Sequence, residues 1–313
     1  MESSTIKRGL VLGCGGVAGG AWEIATLASL QDYLSWDVRD ADCLVGTSVG
    51  AVLAALLGGN VSVDRMLASQ KGELDSSECQ WRHEAAGCKV ESEKRFSSPS
   101  LALKGLQGKV SWMTALSGLM PKGRMNMQPF VELIKPVETT EGWVEHSSTW
   151  IIAVDDRTGK RVALGRDKPY IMPLNKAVCA SYAVPAWCPP VEHLGHTYFD
   201  GDIASPTSAD FLEDTDVDEI IVLAPMTSRF YDHPSTKAAK IERLFRRYMT
   251  RILDKEVALL QEAGKRVVRL EPGPEDLAAI GSNMMSTRRR TRVLDMALKT
   301  APGSVRQAFN MAG

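Results

Sequence analysis

The chain of 313 residues has no excess of charge of either sign and no paired cysteines. Lysine and arginine number 37 and aspartate and glutamate 38, so the formal net charge is −1 at pH 7. This balance gives no electrostatic reason to expect nucleic acid as a partner. The six cysteines include no CxxC pair, and their spacing fits neither a zinc site nor a disulfide framework. We therefore expect reduced thiols, no metal and a cytoplasmic protein.

Long apolar runs are also missing. Residues 43–60 carry no charge, but the stretch is short for a membrane span and is interrupted by four glycines. Lys7 and Arg8 precede an apolar segment, as in a signal peptide, yet no convincing cleavage site follows, so we expect no signal peptide. Contact with a membrane, if any, is expected to be peripheral.

What the sequence has instead is an alternation of buried strands and helices. The patterns predict a strand over 8–13, a helix over 20–34, a strand over 42–45 and an apolar helix over 49–57. A long amphipathic helix is predicted over about 236–263, with Ile241 and Leu244 on its apolar side. A strand, a glycine loop, a helix and a further strand begin a parallel α/β sheet. We predict an α/β fold with a central, mostly parallel sheet flanked by helices.

Glycines are concentrated where the first strand ends, in "GLVLGCGGVAGG" over Gly9–Gly20. A glycine-rich loop after a strand commonly holds an anion. One alternative is a dinucleotide, because Gly13, Gly15 and Ala18 fit G-x-G-x-x-A. That fingerprint also requires an acidic residue at the end of the second strand, where this chain has Gly46, so the dinucleotide alternative is disfavoured.

The second strand ends in "GTSVG", Gly46–Gly50, which fits the G-x-S-x-G pattern of a nucleophile elbow. Its two glycines permit a tight turn and keep side chains away from Ser48. The N-terminus of the following helix favours negative charge that develops beside the serine. Ser48 is therefore the candidate nucleophile.

A serine nucleophile needs a base, and the histidines are poorly placed for that role. Only His233 follows Asp200, as the hydrolase order serine, acid, histidine requires, and it lies in a polar segment. Asp200 ends an apolar strand and precedes Gly201, so it is the candidate base of a Ser–Asp dyad. The alternative is that Asp200 only caps the next turn.

The glycine-rich loop from Gly13 to Gly19, the elbow and Asp200-Gly201, in this order, resemble the patatin-like phospholipase family from about residue 8 to residue 225. The resemblance implies a three-layer fold and hydrolysis of lipid acyl esters through an acyl-enzyme, without a cofactor. It also implies a set of site residues. These are Ser48 and Asp200 as the dyad, the backbone N–H groups of Gly15, Gly16 and Val17 as the oxyanion hole, and the motif glycines Gly13, Gly46, Gly50 and Gly201.

Two positions depart from the family pattern. Ala18 stands where many members have arginine or lysine, which removes a cation from the loop. Asp202 stands where glycine or alanine is common. A second carboxylate so close is expected to raise the pKa of Asp200 by repulsion between like charges. The simpler alternative is that Asp202 points elsewhere and caps a turn.

The remaining expectations concern organisation and partners. We predict one domain over 1–313, with 61–147 as a cap or lid. Apolar residues of 112–130 at helical spacing, among them Trp112, either join the core or line an acyl-chain channel. Arginines at 243, 246, 247, 251 and 288–290 either meet anionic lipid or pair with nearby acids, and pairing is favoured. The alternative to an enzyme is a catalytically silent lipid-binding protein of the same fold.

Overall fold

A computed structural model describes residues 6–74, 92–167, 171–230, 232, 234 and 236–312. The strands are β1 Arg8–Leu12, β2 Cys43–Thr47, β3 Ser92–Phe96, β4 Pro121–Gly123, β5 Thr149–Asp155, β6 Lys160–Leu164, β7 Val191–His193, β8 His196–Asp200, β9 Glu219–Leu223 and β10 Arg266–Leu270. The helices are α1 Gly16–Leu34, α2 Val49–Gly58, α3 Val63–Lys71, α4 Pro99–Leu106, α5 Trp112–Gly118, α6 Gln128–Ile134, α7 Leu174–Ser181, α8 Lys237–Glu262, α9 Pro274–Ile280 and α10 Arg290–Ala312.

Hydrogen-bonded neighbours in the central sheet follow one another as β10-β9-β1-β2-β5-β8-β7, and β6 also pairs with β5. The five strands from β10 to β5 are parallel, whereas β6, β7 and β8 form antiparallel pairs. Because parallel strands end at one edge, the glycine-rich loop after β1 and the turn after β2 emerge side by side. The α/β fold with a mostly parallel sheet is thus confirmed.

Strand β5 brings the ends of β2 and β8 together. Its residues Ile151–Asp155 pair with β6 along one edge. On the other edge, Ile152 faces Thr47 at the end of β2, and the adjacent Ala153 faces Asp200 at the end of β8. Strands β2 and β8 therefore meet head to head on the same edge of β5.

Helices cover both faces of the sheet, which gives three layers. On one face, Leu10, Leu44 and Ile151 pack in a core with residues of α1, α2, α3 and α10. On the opposite face, Val11 and Val45 pack with residues of α8 and of the segment 209–212. The strands are apolar at consecutive positions because both of their faces are buried.

Two helices differ from the sequence prediction. Helix α1 begins at Gly16, within the glycines, and not at residue 20. The predicted apolar side of α8 is not the buried side near the start of the helix, because Ile241 is 67% exposed and Leu244 62% exposed. The buried side combines Met249, Leu253 and Leu260 with acid and arginine side chains that pair with one another, so hydrophobicity alone does not identify it.

The region 92–147 contains α4, α5, α6 and the two-stranded sheet β3–β4. Phe130 belongs to the main core, as one of the two alternatives predicts. Trp112 and Leu116 are exposed, so these residues of α5 are not core. The prediction that 61–147 acts as a cap covers residues 75–91, which lie outside the described residues, and it stays a prediction.

Candidate active site

Ser48 occupies a strained turn between β2 and α2. Its φ and ψ are 59° and −120°, a conformation that non-glycine residues rarely adopt. The side chain is 2% exposed. The Ser48 backbone N–H donates to Ser181 Oγ at 2.9 Å, and the Ser181 hydroxyl donates to the Ile152 carbonyl at 2.5 Å. Ser181, which the sequence analysis missed, thereby ties the turn to β5.

The two elbow glycines are required by close backbone contacts. A Cβ atom at Gly50 would lie 2.1 Å from the Leu12 carbonyl oxygen, and one at Gly46 would lie 2.4 Å from the Gly50 carbonyl oxygen. The Gly50 N–H also donates to the Gly13 carbonyl at 3.2 Å. The elbow and the glycine-rich loop are therefore packed directly against each other.

Gly50→Ala is expected to destabilise the protein, because the new methyl group meets backbone atoms that have no room to move. We expect a loss of roughly 3 kcal/mol or failure to fold, measured by thermal unfolding. Gly303→Ala is the matched control, since no atom lies within 4 Å of its Cβ position. This control should stabilise helix α10 by about 0.5–1 kcal/mol. Equal melting temperatures for the two variants would contradict the assignment of the Gly50 contact.

Asp200 is fully buried at the end of β8, beside the turn that carries Ser48. Its Oδ1 accepts the Asp202 N–H at 2.9 Å, so the capping role considered from the sequence is present. Its Oδ2 has no partner in hydrogen-bond geometry among the described residues. The Ser48 hydroxyl nevertheless interacts with this carboxyl and lowers its pKa. The contact between the Ser48 hydroxyl and the Asp200 carboxyl is thus looser than a formed hydrogen bond.

The pKa of Asp200 is raised well above the usual range, first by burial and second by the negative charge of Asp202. Burial also raises the pKa of Asp202 to about 7, although part of its surface is accessible. The direction of the Asp202 effect agrees with the sequence hypothesis, but desolvation of Asp200 is the larger cause.

Asp202→Asn is expected to move the acidic limb of the pH–rate profile to lower pH. Removing the negative charge of Asp202 favours the ionised form of Asp200 and so lowers its pKa. The measurement is kcat/KM against pH on a soluble p-nitrophenyl ester. Asp214→Asn, a change of the same chemistry outside the site, should leave the limb in place. An unchanged limb in Asp202→Asn would show that Asp202 does not act on the base.

The glycine-rich loop presents unused backbone donors. The N–H of Gly13 lies 2.9 Å from both the Leu223 carbonyl and Glu23 Oε1, and the N–H of Ala18 donates to the Met284 carbonyl. The N–H groups of Gly15, Gly16 and Val17 donate to no described residue; all three lie at the start of α1, where the first amides lack intrahelical partners. Their arrangement as an oxyanion hole stays a prediction.

Two buried acids that sequence reasoning missed hold this end of the sheet together. Glu23 on α1 is the only charged residue between Arg8 and Asp32, a signal that was available in the sequence. It is fully buried and its pKa is raised well above the usual range by burial. Its hydrogen bond to Gly13 N–H anchors the start of the glycine-rich loop.

Glu256 on α8 anchors the segment that follows Asp200. It accepts hydrogen bonds from the hydroxyls of Ser205 and Thr207 and from the Ala209 N–H, and it pairs with Arg161. Burial raises its pKa to about 7. The anchored segment in turn accepts the Cys14 N–H through the Pro206 carbonyl and the Thr47 hydroxyl through the Thr207 carbonyl. It therefore links the loop, the elbow and the Asp200 turn.

The described histidines have partners away from Ser48. The ring nitrogens of His146 lie 2.9 Å from Thr149 Oγ1 and 2.7 Å from the Ala41 carbonyl oxygen. His196 lies 3.1 Å from Asp155, and His193 lies 2.7 Å from the Ile171 carbonyl oxygen. His83 and His233 lie outside the described residues.

The arginines of α8 divide into a buried pair, Arg243 and Arg246, and an exposed pair, Arg247 and Arg251. Arg243 and Arg246 are buried and pair with Glu242, as the favoured alternative predicts. Arg246 also donates to the Pro225 carbonyl at 2.6 Å, and Pro225 lies directly beneath Gly15. Ala18, the position at which the sequence departs from the family pattern, is fully buried.

The structure thus brings together a strained serine, a buried carboxylate and free backbone amides at the carboxyl edge of an α/β sheet. The sequence model of the family described as patatin-like phospholipase matches residues 10–212, which is more than half of the chain. The chain therefore belongs to the patatin-like phospholipase family.

Two solved structures are similar at low identity. VipD from Legionella pneumophila is 14% identical with a TM-score of 0.46, over 98% of this chain and 67% of VipD. The type III effector protein ExoU is 12% identical with a TM-score of 0.37, over 97% of this chain and 53% of ExoU. No curated protein matches the sequence.

Neither a membrane-spanning helix nor a metal-binding cluster is found among the described residues. They contain no helix whose length and apolar character would allow it to cross a membrane. They also contain no group of three or more histidine, cysteine, aspartate or glutamate side chains arranged to hold a metal ion.

Proposed function

We propose that the protein is a serine-dependent lipid acyl hydrolase of the phospholipase A, lysophospholipase or esterase type. The observation that carries the proposal is the meeting of β2 and β8 on one edge of β5. It sets Ser48 beside a buried carboxyl whose Oδ2 has no other partner among the described residues. A buried acid with a free oxygen is suited to accept the proton of a neighbouring hydroxyl.

In the proposed reaction, ionised Asp200 takes the proton of Ser48 while Ser48 Oγ attacks the ester carbonyl carbon. The tetrahedral oxyanion accepts hydrogen bonds from the N–H groups of Gly15, Gly16 and Val17, which are fixed before the reaction and need no reorganisation. Collapse breaks the ester bond, and the proton held by Asp200 passes to the leaving alcohol. Water then attacks the acyl carbon while Asp200 takes its proton. The bond between the acyl group and Ser48 Oγ breaks, Asp200 returns the proton to Ser48 Oγ, and the fatty acid is released.

The raised pKa of Asp200 has a consequence for this mechanism. Only the ionised carboxylate acts as a base, so activity is expected to fall as the pH drops through the raised pKa. The same burial makes the carboxylate a stronger base once it is ionised, because a higher pKa means a greater affinity for the proton. Peripheral contact with a lipid surface belongs to the same proposal, since the substrates are lipids.

The test is a panel of phospholipids, lysophospholipids, neutral lipids and acyl thioesters, with products identified by mass spectrometry. Release of a free fatty acid from at least one lipid class supports the proposal, and the second product identifies the position of cleavage. If no lipid and no p-nitrophenyl ester is cleaved and a fluorophosphonate does not label the protein, the hydrolase proposal fails. Lipid binding without turnover would then favour the silent lipid-binding alternative.

A further inference from the structure

The outward face of α8 is apolar, although nothing described packs over it. Ile241 and Leu244 are more than 60% exposed, and Tyr248 lies one further turn along the same side of the helix. On the inward side, Leu253 and Leu260 reach the core of the sheet. Helix α8 is therefore apolar on two sides, and one of them faces outward.

Helix α5 continues this apolar surface towards the candidate active site. Trp112, which is 63% exposed, meets Tyr248 edge to face with ring centroids 5.4 Å apart. On the other side of α5, the Thr114 hydroxyl donates to the Ile203 carbonyl at 2.8 Å. Ile203 lies in the turn that follows Asp200. The exposed apolar side chains of α5 and α8, the α5–α8 face, thus adjoin the turn that holds the candidate base.

Basic residues predominate among the exposed charges of α8, which border the α5–α8 face. Five basic residues of α8 are exposed, Lys237, Lys240, Arg247, Arg251 and Lys255. Of the acids of α8, Glu242 and Glu256 are buried against arginines, whereas Asp254 is 52% exposed and pairs with Arg269 and Glu262 is exposed near the end of the helix. The exposed charges of α8 are therefore five basic and two acidic.

A cleft of about 310 Å³ opens beside these cations. Its charged lining consists of five arginines and two aspartates, Arg229, Arg243, Arg246, Arg247, Arg251, Asp232 and Asp254. The α5–α8 face therefore combines exposed apolar side chains, a basic border and an arginine-lined cleft.

We propose that the α5–α8 face docks onto an anionic lipid bilayer, with α8 lying in the plane of the interface. Apolar side chains on one face and basic residues beside them are the pattern of helices that bind membranes in this way. Each lysine or arginine near an anionic surface strengthens the attraction, and added salt weakens it. A second copy of the chain fits this face poorly, because self-association would place basic borders against each other. Docking of the α5–α8 face does not depend on the proposed function. Only the statement that docking brings the Asp200 turn to the lipid surface for catalysis rests on it.

The test is sedimentation with vesicles, using Ser48→Ala protein so that no lipid is consumed. Vesicles of phosphatidylcholine alone are compared with vesicles that contain about 25% phosphatidylglycerol, at low and raised salt. We expect binding to the anionic vesicles and its loss as salt rises. Lys240→Glu with Arg251→Glu should weaken this binding at least about tenfold. The matched control is Arg65→Glu with Lys71→Glu on α3, which packs on the opposite face of the sheet and should leave binding unchanged.

A second pair of variants tests the apolar part. Ile241→Ser with Leu244→Ser should weaken vesicle binding at least about tenfold, whereas Leu194→Ser, at another exposed leucine, should not. Absence of binding to anionic vesicles, or equal binding by the α8 and control variants, overturns the proposal. So does a dimer in solution that the α8 substitutions dissociate. Hydrolysis of a soluble p-nitrophenyl ester by the otherwise unmodified enzyme and by the α8 variants tests the catalytic proposal separately, since it needs no bilayer.

Discussion

Ser48→Ala is expected to reduce kcat/KM for any acyl ester by at least about 10⁴-fold and to abolish labelling by a fluorophosphonate. Alanine has no atom that can attack the carbonyl or bond to phosphorus, while the oxyanion donors and the binding surface remain. The fold should persist, because only one buried oxygen is removed and the Ser48 N–H still reaches Ser181.

The control for this variant is Ser29→Ala, which removes a hydroxyl from the same chain on α1. Ser29 lies thirteen residues after Gly16 in one continuous helix, or about 20 Å from the glycine-rich loop at 1.5 Å per residue. It should keep full activity and full labelling. Both variants should melt close to the unmodified protein. If Ser48→Ala retained turnover or labelling, another nucleophile would have to be found.

Asp200→Asn is expected to lower kcat by about 10³–10⁴-fold, because the amide cannot accept the proton of Ser48. The amide oxygen can still accept the Asp202 N–H, so the turn should be retained. Fluorophosphonate labelling should slow by a similar factor, since it depends on the same activated hydroxyl. The acidic limb assigned to Asp200 should also disappear from what activity is left.

Asp202→Asn is the matched control here, since it makes the same chemical change two residues along the chain. It should retain turnover and shift only the pH profile, because Asp202 acts through its charge. Comparable losses in the two variants would assign the effect to the shape of the turn. A fully active Asp200→Asn would exclude Asp200 as the base.

Sequence reasoning anticipated the local features of the site well. The strand before the glycine-rich loop and the helix after the elbow lie where the patterns predict them. Ser48 stands at the turn between strand and helix, and Asp200 ends its strand. These features depend on neighbours in the chain, because turn glycines and apolar runs act within a few residues.

The supporting residues were less accessible to such reasoning. Ser181 and Glu256 are ordinary polar residues in the sequence, and their roles appear only through partners far along the chain. Glu256, for example, binds residues about fifty positions before it. The buried side of α8 was hidden for a related reason, because charged side chains that pair with one another lie among its apolar residues and hydropathy does not reveal them as buried.

The sequence by itself determined the α/β class, the glycine-rich loop, the strained serine turn and the carboxylate that ends a strand. Only the tertiary structure decided that the serine and the carboxylate meet, because that depends on β5 pairing with β2 and β8 along one edge. It also decided which side of α8 faces outward. Periodicity indicates whether a residue belongs to an apolar face. Strand pairing and burial depend on segments that are far apart in the sequence, as Ala153 is from Asp200 and Leu44 is from Thr149.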